Sequence, residues 1–314
     1  MKKIKLITFV LLLVAVFSAC KKDKDDDINP VKSSLTNVEV GLNNNEIGVI
    51  GKDFHFNAEI LAGEKIENVQ IKILPRSGES YDKSWKMEIT WDEYRGVKNA
   101  TVHKHFNIPE DAAEGKYDFV IIVNDQNGTT LEEKREIKIY TAANLPVNPE
   151  IMFFSVGADK RLIYDQINGG YLDPETGTFG NTTGYINKGD SLVPSMTVNG
   201  IKGDGVMYVV LINKKHNHRP ETIGAIDFTK VIIADIYEHT NMDKIGSFTN
   251  YTFRRNYFPK LLIGAVSDNS VPAPRMIDHL KAWETGNYYV GMIYYNSTYN
   301  MTVFKYIDLK INYN

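Results

Sequence analysis

Residues 35 to 140 form a succession of short segments in which apolar and polar side chains alternate, with turn-forming residues between them. Alternation is typical of strands that bury one face of a sheet, and short strands at regular spacing are typical of an antiparallel sandwich. The pattern predicts seven strands, which is the number in an immunoglobulin-like domain. They span residues 38–42, 53–61, 69–74, 85–91, 99–108, 115–124 and 131–140.

Two short motifs sharpen this prediction. The Asp-Gln-Asn-Gly run at 125–128 offers residues that tolerate a left-handed backbone, as a hairpin turn between the last two strands requires. Tyr117 follows Gly115 and Lys116 at the start of the sixth strand, where such domains place a tyrosine that hydrogen-bonds back to the chain. We therefore expect residues 31–141 to form an immunoglobulin-like β-sandwich.

The pattern partly repeats after residues 141–149, a segment with two prolines that is predicted to be a linker. The Gly-Lys-Tyr at 115–117 has a counterpart in the Gly-Asn-Tyr at 286–288, which precedes another alternating hairpin. This repetition predicts a second, divergent β-sandwich over residues 150–314. The expected fold class is all-β, with two immunoglobulin-like β-sandwich domains in series.

The chain begins with a lysine-rich leader and an apolar run at 6–17, which at about 1.5 Å per residue is too short to span a bilayer of about 30 Å. This arrangement predicts a signal peptide over residues 1–19. The Phe-Ser-Ala-Cys that follows the run resembles a bacterial lipobox, whose cysteine is acylated with chains such as palmitate. We expect Cys20 to be a lipidated membrane anchor. The alternative is an ordinary secretory signal with an incidental cysteine.

The run at 21–27 is charged and lacks apolar side chains, so residues 20–30 are predicted to form a lipidated cysteine and a solvated tether. Its acid-rich character resembles the export tag of Bacteroidota lipoproteins that reach the outer face of the outer membrane. We therefore expect a lipoprotein of the outer membrane that is exposed at the cell surface. A lipoprotein facing the periplasm is the alternative.

The charge balance and the cysteine count exclude several classes of site. Removal of residues 1–19 takes away three lysines and no acid, which leaves 33 basic against 39 acidic side chains, a net charge of −6. This excess of acid argues against nucleic acid as a partner. The single cysteine excludes an internal disulfide and a thiolate zinc cluster.

Three of the seven histidines are predicted to share one exposed face. The apolar residues of strands 53–61 and 99–108 occupy even positions, so His55, His103 and His105 face outward. The second and fifth strands of an immunoglobulin-like sheet are neighbours, and the three imidazoles are therefore predicted to converge on Zn²⁺ or another divalent transition metal. The alternative is a polar face with three solvated histidines.

This assignment has two consequences. It turns Lys104 toward the core, which is costly unless the side chain reaches solvent at the sheet edge or a bulge shifts the register. Three histidines also leave a coordination position for water, Asp53 or a partner protein. With an ordinary histidine pKa near 6.5, we expect metal binding to weaken steeply below about pH 6.

The remaining histidines are weaker candidates for a metal site. His216 and His218 lie in the basic segment 214–219, where neighbouring cations oppose metal binding. His239 and His279 are isolated in the sequence, and we expect both to have structural roles.

Segments 53–56, 98–109 and 115–119 resemble the domain-of-unknown-function family 4625 of Bacteroidota lipoproteins. The most specific part is the His-x-His-x-x-Ile-Pro segment at 103–109. The resemblance covers about a third of the chain and implies an immunoglobulin-like fold and a lipoprotein location, but no function. Residues 150–314 show no such resemblance.

The sequence has no Gly-x-Ser-x-Gly elbow, His-Glu-x-x-His motif, phosphate-binding loop or dinucleotide fingerprint. We therefore expect a binding module and not an enzyme. Its metal site would serve in metal capture, in transfer to an outer-membrane transporter or in bridging to a partner.

An alternative function is glycan binding by the second domain, because aromatic side chains can stack on sugar rings. The same aromatics are also suited to filling a β-sandwich core. Ser191 lies in an Asp-Ser-Leu sequence that resembles the O-glycosylation motif of Bacteroidota, which makes it a candidate modification site. The candidate glycan-binding residues are Tyr251, Tyr257, Tyr289 and Tyr295.

Overall fold

The computed structural model describes residues 30–159, 161–252 and 258–314, and its regular secondary structure is almost all strand. The predicted signal peptide, Cys20 and most of the tether lie outside these residues. The strands are β1 Ser34–Val40, β2 Ile47–Val49, β3 Asp53–Leu61, β4 Ile66–Pro75, β5 Met87–Trp91, β6 Asn99–Asn107, β7 Gly115–Asp125, β8 Thr130–Tyr140, β9 Glu150–Ala158, β10 Arg161–Asp165, β11 Gly170–Leu172, β12 Phe179–Gly180, β13 Tyr185–Asn187, β14 Ser191–Asn213, β15 Val231–Thr249, β16 Leu261–Leu262, β17 Gly286–Asn296 and β18 Met301–Asn312. Short 3₁₀ helices occupy Ala142–Asn144, Lys214–His216, Ile223–Ala225 and His279–Lys281.

The first domain is a sandwich of two sheets with strand orders β1-β3-β6 and β2-β8-β7-β4-β5. Side chains from both sheets meet in one core that includes the fully buried Phe56, Ile71 and Phe119. Apolar burial of this kind is the main force that holds two sheets face to face. The predicted all-β, immunoglobulin-like sandwich is confirmed.

Two details of the first domain differ from the sequence prediction. The short strand β2, which pairs in parallel with β8, was not predicted, because three residues are too few to show a period. β1 starts at Ser34, four residues before the predicted start at residue 38. The pairing of β1 with β3 shifts register between Thr36 and Glu39, and this irregularity hides the alternation in the sequence.

The predicted tyrosine corner is present, and it occurs in both domains. The Tyr117 hydroxyl donates to the Ala113 carbonyl at 3.0 Å, and the Tyr288 hydroxyl donates to the Glu284 carbonyl at 3.1 Å. Both tyrosines are buried and both reach back four residues. The repeat between residues 115–117 and 286–288 therefore has a shared structural cause.

The second domain is a ten-stranded sheet that folds on itself around the long strand β14. One edge of β14 pairs with β9 up to Asn199 and with β17 from Gly205, while β15 pairs along its other edge. Gly200 and Gly203, with φ of +73° and +75°, lie where the neighbour changes. A Cβ at Gly200 would lie 2.2 Å from the Asn148 carbonyl oxygen, so only glycine fits there.

The two halves of this sheet share one core, which includes Phe154, Met207, Tyr294 and Leu309. The domain is thus a second β-sandwich, as predicted. Within the described part of the chain, no helix combines the length and the apolar character needed to cross a membrane.

The segment 141–149, predicted to be a linker, packs against both domains. Leu145 and Val147 are buried with Met301 of the second domain, and Ile47 and Tyr140 of the first domain pack against them. Burial of apolar side chains in a linker restrains the two domains relative to each other. This contact places the first domain beside one end of β18.

Candidate metal centre

The three histidines predicted to converge lie on neighbouring strands of the first domain. β3 and β6 pair without a bulge, and His55 is directly opposite His105, while His103 is opposite Asn57. Side chains of one face alternate with those of the other along a strand, so all three histidines leave the same side of the sheet. The predicted parity and the predicted pairing of the two strands are confirmed. The predicted exposure is wrong for His55, which is only 5% exposed because Glu39 and, from the second domain, Glu221 lie against it.

The three imidazoles form a compact triangle. The ring centroids lie 5.1 Å apart for His55 and His103, 5.1 Å for His55 and His105, and 5.3 Å for His103 and His105. His55 Nδ1 and His105 Nε2 are 3.4 Å apart. One nitrogen atom of each ring lies within 4.8 Å of one nitrogen atom of the other two rings.

The fourth side chain of the cluster is Glu221, from the loop between β14 and β15 in the second domain. Its Oε2 atom lies 3.5 Å from His55 Nδ1, 3.8 Å from His103 Nε2 and 3.0 Å from His105 Nε2. The sequence analysis missed this residue. It had left the fourth position to water, Asp53 or a partner protein.

Several of these separations are close to those between the ligand atoms of a tetrahedral metal ion. Four donor atoms, one from each of His55, His103, His105 and Glu221, all lie within 4.8 Å of one another. Bonds of about 2.0 to 2.1 Å in a tetrahedron place ligand atoms about 3.3 to 3.4 Å apart. The distance from His55 Nδ1 to His105 Nε2 and those from Glu221 Oε2 to the three histidines, 3.0 to 3.8 Å, bracket this value. The whole set spans up to 4.8 Å, so side-chain movement is needed to close the shell.

Two of the histidines are supported from behind by carboxylates. His105 Nδ1 lies 2.5 Å from Asp53 Oδ2, which orients the ring so that Nε2 points to the centre. His55 Nε2 lies 3.5 Å from Glu39 Oε2, an ion-pair distance longer than a good hydrogen bond, while Nδ1 points to the centre. A carboxylate behind a histidine is the usual outer partner of a metal ligand, because it fixes the tautomer and raises the basicity of the ring.

Burial and charge set the pKa values of the cluster. His55 is only 5% exposed, and burial disfavours its charged form, but the negative charges of Glu221 and Glu39 outweigh burial and raise the pKa of His55 to about 9. Burial raises the pKa of the Glu221 carboxyl, but the hydrogen bond with His55 and the charges of the three histidines hold it below its usual range. Burial and the neighbouring histidines lower the pKa of His103, which favours its neutral, ligating form.

Lys104, which parity turns toward the core, reaches the edge of the sheet. Its ammonium pairs with Glu93 and lies 5.7 Å from the ring centre of Trp91 and 5.3 Å from that of Tyr94. β6 is an edge strand, so the long side chain runs over aromatic surface and ends at solvent. Lys104 thus reaches solvent at the sheet edge, which is the first of the two alternatives expected from the sequence. The predicted face of the three histidines needs no correction.

Glu221 is held in place by its neighbours in the loop. Pro220 is buried, and its carbonyl accepts a hydrogen bond from the Tyr306 hydroxyl. The Arg219 guanidinium lies 5.6 Å from the ring centre of Tyr289 and 5.0 Å from that of Tyr306. The loop therefore presents Glu221 from a fixed base on β17 and β18.

The other histidines lie outside the cluster. His216 Nε2 donates to the Leu280 carbonyl at 2.7 Å, and His218 Nε2 accepts from the Asp227 amide at 3.1 Å. His239 bonds with the Gly203 carbonyl and the Tyr294 hydroxyl, and His279 is exposed. The contacts of His239 agree with the structural role expected from the sequence, whereas His279 is 90% exposed and has no such role.

The candidate glycan-binding tyrosines do not gather in one described cluster. Tyr251 packs against Phe153 and Phe258, whereas Tyr289 packs against Tyr306 under the Arg219 side chain.

Tyr295 is half-buried on β17, and Tyr257 lies outside the described residues. Ser191, the candidate glycosylation site, is the first residue of β14 and pairs with Leu262 in the sheet.

Comparisons with known proteins are informative for the first domain only. Residues 18–140 match the family model "Domain of unknown function (DUF4625)", which confirms the family resemblance of the first domain. No curated protein matches the chain.

Two solved structures are similar at low level. The Clostridium thermocellum CbhA fibronectin(III)-like modules are 10% identical, with a TM-score of 0.26 over 90% of this chain and 94% of that chain. Dimeric latent PorU from Porphyromonas gingivalis is 8% identical, with a TM-score of 0.30 over 93% of this chain and 21% of that chain. Neither similarity is close enough to support an argument about function.

Proposed function

We propose that this protein is a lipid-anchored binding protein of the outer membrane that holds one divalent transition-metal ion between its two domains. The ligands are His55, His103, His105 and Glu221. The observation that supports this function is the placement of four donor atoms within 4.8 Å of one another, with Glu221 Oε2 at 3.0 to 3.8 Å from all three histidines.

The donor set favours Zn²⁺. Imidazole nitrogen suits zinc, copper and nickel, whereas Ca²⁺ and Mg²⁺ prefer six or more oxygen ligands or an octahedral shell. Cu²⁺ and Ni²⁺ prefer planar or tetragonal arrangements, whereas zinc is commonly held by four nitrogen and oxygen ligands, the number that this cluster offers.

The closed shell supports binding without catalysis. Catalytic zinc sites keep one position for water or substrate beside three protein ligands, whereas structural and storage sites fill all four positions. Here Glu221 supplies the fourth ligand and is only 20% exposed. A closed shell leaves no position for a ligand from a transporter. Transfer of the metal would therefore require Glu221 to move away first.

The proposed location rests on the N-terminal sequence. The signal peptide, the lipobox-like end at Cys20 and the acid-rich tether support an anchored protein with its domains outside the cytoplasm. Surface exposure rests on the tether's resemblance to an export tag, and a periplasm-facing orientation remains the alternative. A protein in either place has access to metal ions that have not yet entered the cytoplasm.

Isothermal titration of the metal-free full chain with Zn²⁺ at pH 7.5 tests this function. We expect one zinc per chain and a loss of binding of more than about 100-fold when His103→Ala and His105→Ala are combined, because two of four ligands are removed. His279→Ala is the matched control, since it removes an exposed histidine outside the cluster. Equal affinity of the double variant and the wild type would disprove the proposed site.

A further inference from the structure

The two domains touch through three kinds of contact. Near the linker, an apolar patch joins Val49 of the first domain to Val147 and Met301. Beside it, the Asn43 side-chain amide donates to Asn300 Oδ1 at 2.7 Å. The Asn300 side-chain amide donates to the Asn43 backbone carbonyl at 3.3 Å. The third contact is the histidine and glutamate cluster.

The cluster supplies the charged part of this interface. Among the described residues, each ion pair that joins the first domain to the second has Glu221 as its acid, with His55, His103 or His105 as the base. Separation of the domains would therefore remove one ligand from the metal and leave the other three together on the first domain.

We infer that the metal ion acts as a clamp that fixes the orientation of the two domains. This inference rests on the proposed metal binding and extends it to a conformational role. The three histidines hold the ion in any domain arrangement, but Glu221 adds its bond only in the docked one. A ligand shifts an equilibrium by its difference in affinity for the two states, and that difference here is the contribution of Glu221.

Docking also shapes the space between the domains. A cavity of about 320 Å³ lies beside the cluster, and its walls come from both domains, with Val49 and Phe54 on one side and Met301 and Phe304 on the other. Metal binding that fixes the domains therefore fixes the shape of this cavity. In the metal-free protein, docking is held by the apolar patch, the asparagine pair, the bond from the Asn45 side-chain amide to Met301 Sδ and the ion pairs of Glu221 with the histidines. The metal favours docking by the amount by which its bond to Glu221 exceeds these ion pairs.

Distance measurements between the domains test the clamp. Spin labels are placed at the exposed positions Ser84→Cys and Thr182→Cys in a full chain that carries Cys20→Ser, so that only the introduced cysteines react. Double electron–electron resonance should give a narrow distance distribution with saturating Zn²⁺. A chelator such as EDTA should restore a broader distribution.

Glu221→Gln separates the clamp from metal binding itself. This variant should still bind zinc in titration calorimetry through its three histidines, with lower affinity, but its distance distribution should stay broad at saturating zinc. Glu238→Gln, an exposed acid on β15, is the matched control and should behave like the wild type. Circular dichroism confirms that both variants fold.

The outcomes distinguish the two proposals. If zinc binds the wild type but leaves its distance distribution unchanged, the clamp is wrong and the metal-binding function stands. Narrowing by zinc in the Glu221→Gln variant, to the same extent as in the wild type, would also overturn the clamp. Failure of the wild type to bind zinc would overturn both proposals.

Discussion

The two sides of the proposed metal centre are built differently. On the first domain, three ligands come from two regular paired strands, and their positions follow from the register of β3 and β6. On the second domain, a single ligand comes from a loop that is anchored by contacts to β17 and β18. Strand ligands are fixed by the backbone ladder, whereas the loop ligand depends on side-chain packing and on how the domains meet.

The largest loss of zinc affinity should come from removing ligands, and the loss should differ between the two sides of the site. The combined loss of His103 and His105 should weaken zinc binding by more than about 100-fold, whereas Glu221→Gln should weaken it by about 10- to 100-fold because three ligands remain. Titration calorimetry under equal conditions gives both values. Equal losses on the two sides would show that the strand ligands do not form a separate binding unit.

A smaller effect should follow from changing the carboxylate behind a strand ligand. Asp53→Asn removes the charge that faces His105 Nδ1 at 2.5 Å and should lower zinc affinity by about tenfold, with the number of bound ions unchanged. Glu59→Gln, an exposed acid on the same face of β3, is the matched control. An affinity equal to that of the wild type would show that Asp53 does not support the ligand.

Zinc affinity should depend on pH up to higher pH values than an ordinary histidine pKa implies. In the metal-free protein the pKa of His55 is raised from 6.5 to about 9, so zinc must displace a proton from this ring at neutral pH. Zinc affinity should therefore rise by up to about tenfold per pH unit up to about pH 9. The expectation of weakening only below pH 6 assumed a histidine without charged partners.

The same shift predicts the stability of the metal-free protein. Because the folded pKa of His55 lies above the unfolded value, its contribution to stability is fully present below about pH 6.5 and is lost as pH rises through about 9. Urea unfolding in EDTA at these two pH values measures this change in stability.

The zinc affinity at each pH is measured with zinc buffered by a chelator. A zinc affinity that is constant from pH 7 to 9 would contradict the raised pKa of His55.

The sequence was sufficient wherever a period or a fixed motif determines the structure. The face of His55, His103 and His105 follows from alternation, and the corner at Tyr117 follows from its motif. Glu221 could not be predicted, because loop residues have no period and domain docking leaves no local signal. The one available hint was an acid two residues after the basic segment 214–219, which contains His216 and His218.

Structure determination of the zinc-loaded full chain, with anomalous diffraction at the zinc absorption edge, is the most direct test of the central claim. The account predicts a single strong peak about 2.0 to 2.2 Å from one nitrogen atom of each of His55, His103 and His105 and from a carboxylate oxygen of Glu221. A peak bonded to other residues would contradict the account. So would a zinc-loaded crystal in which no peak lies at the three histidines and Glu221 has moved away from them.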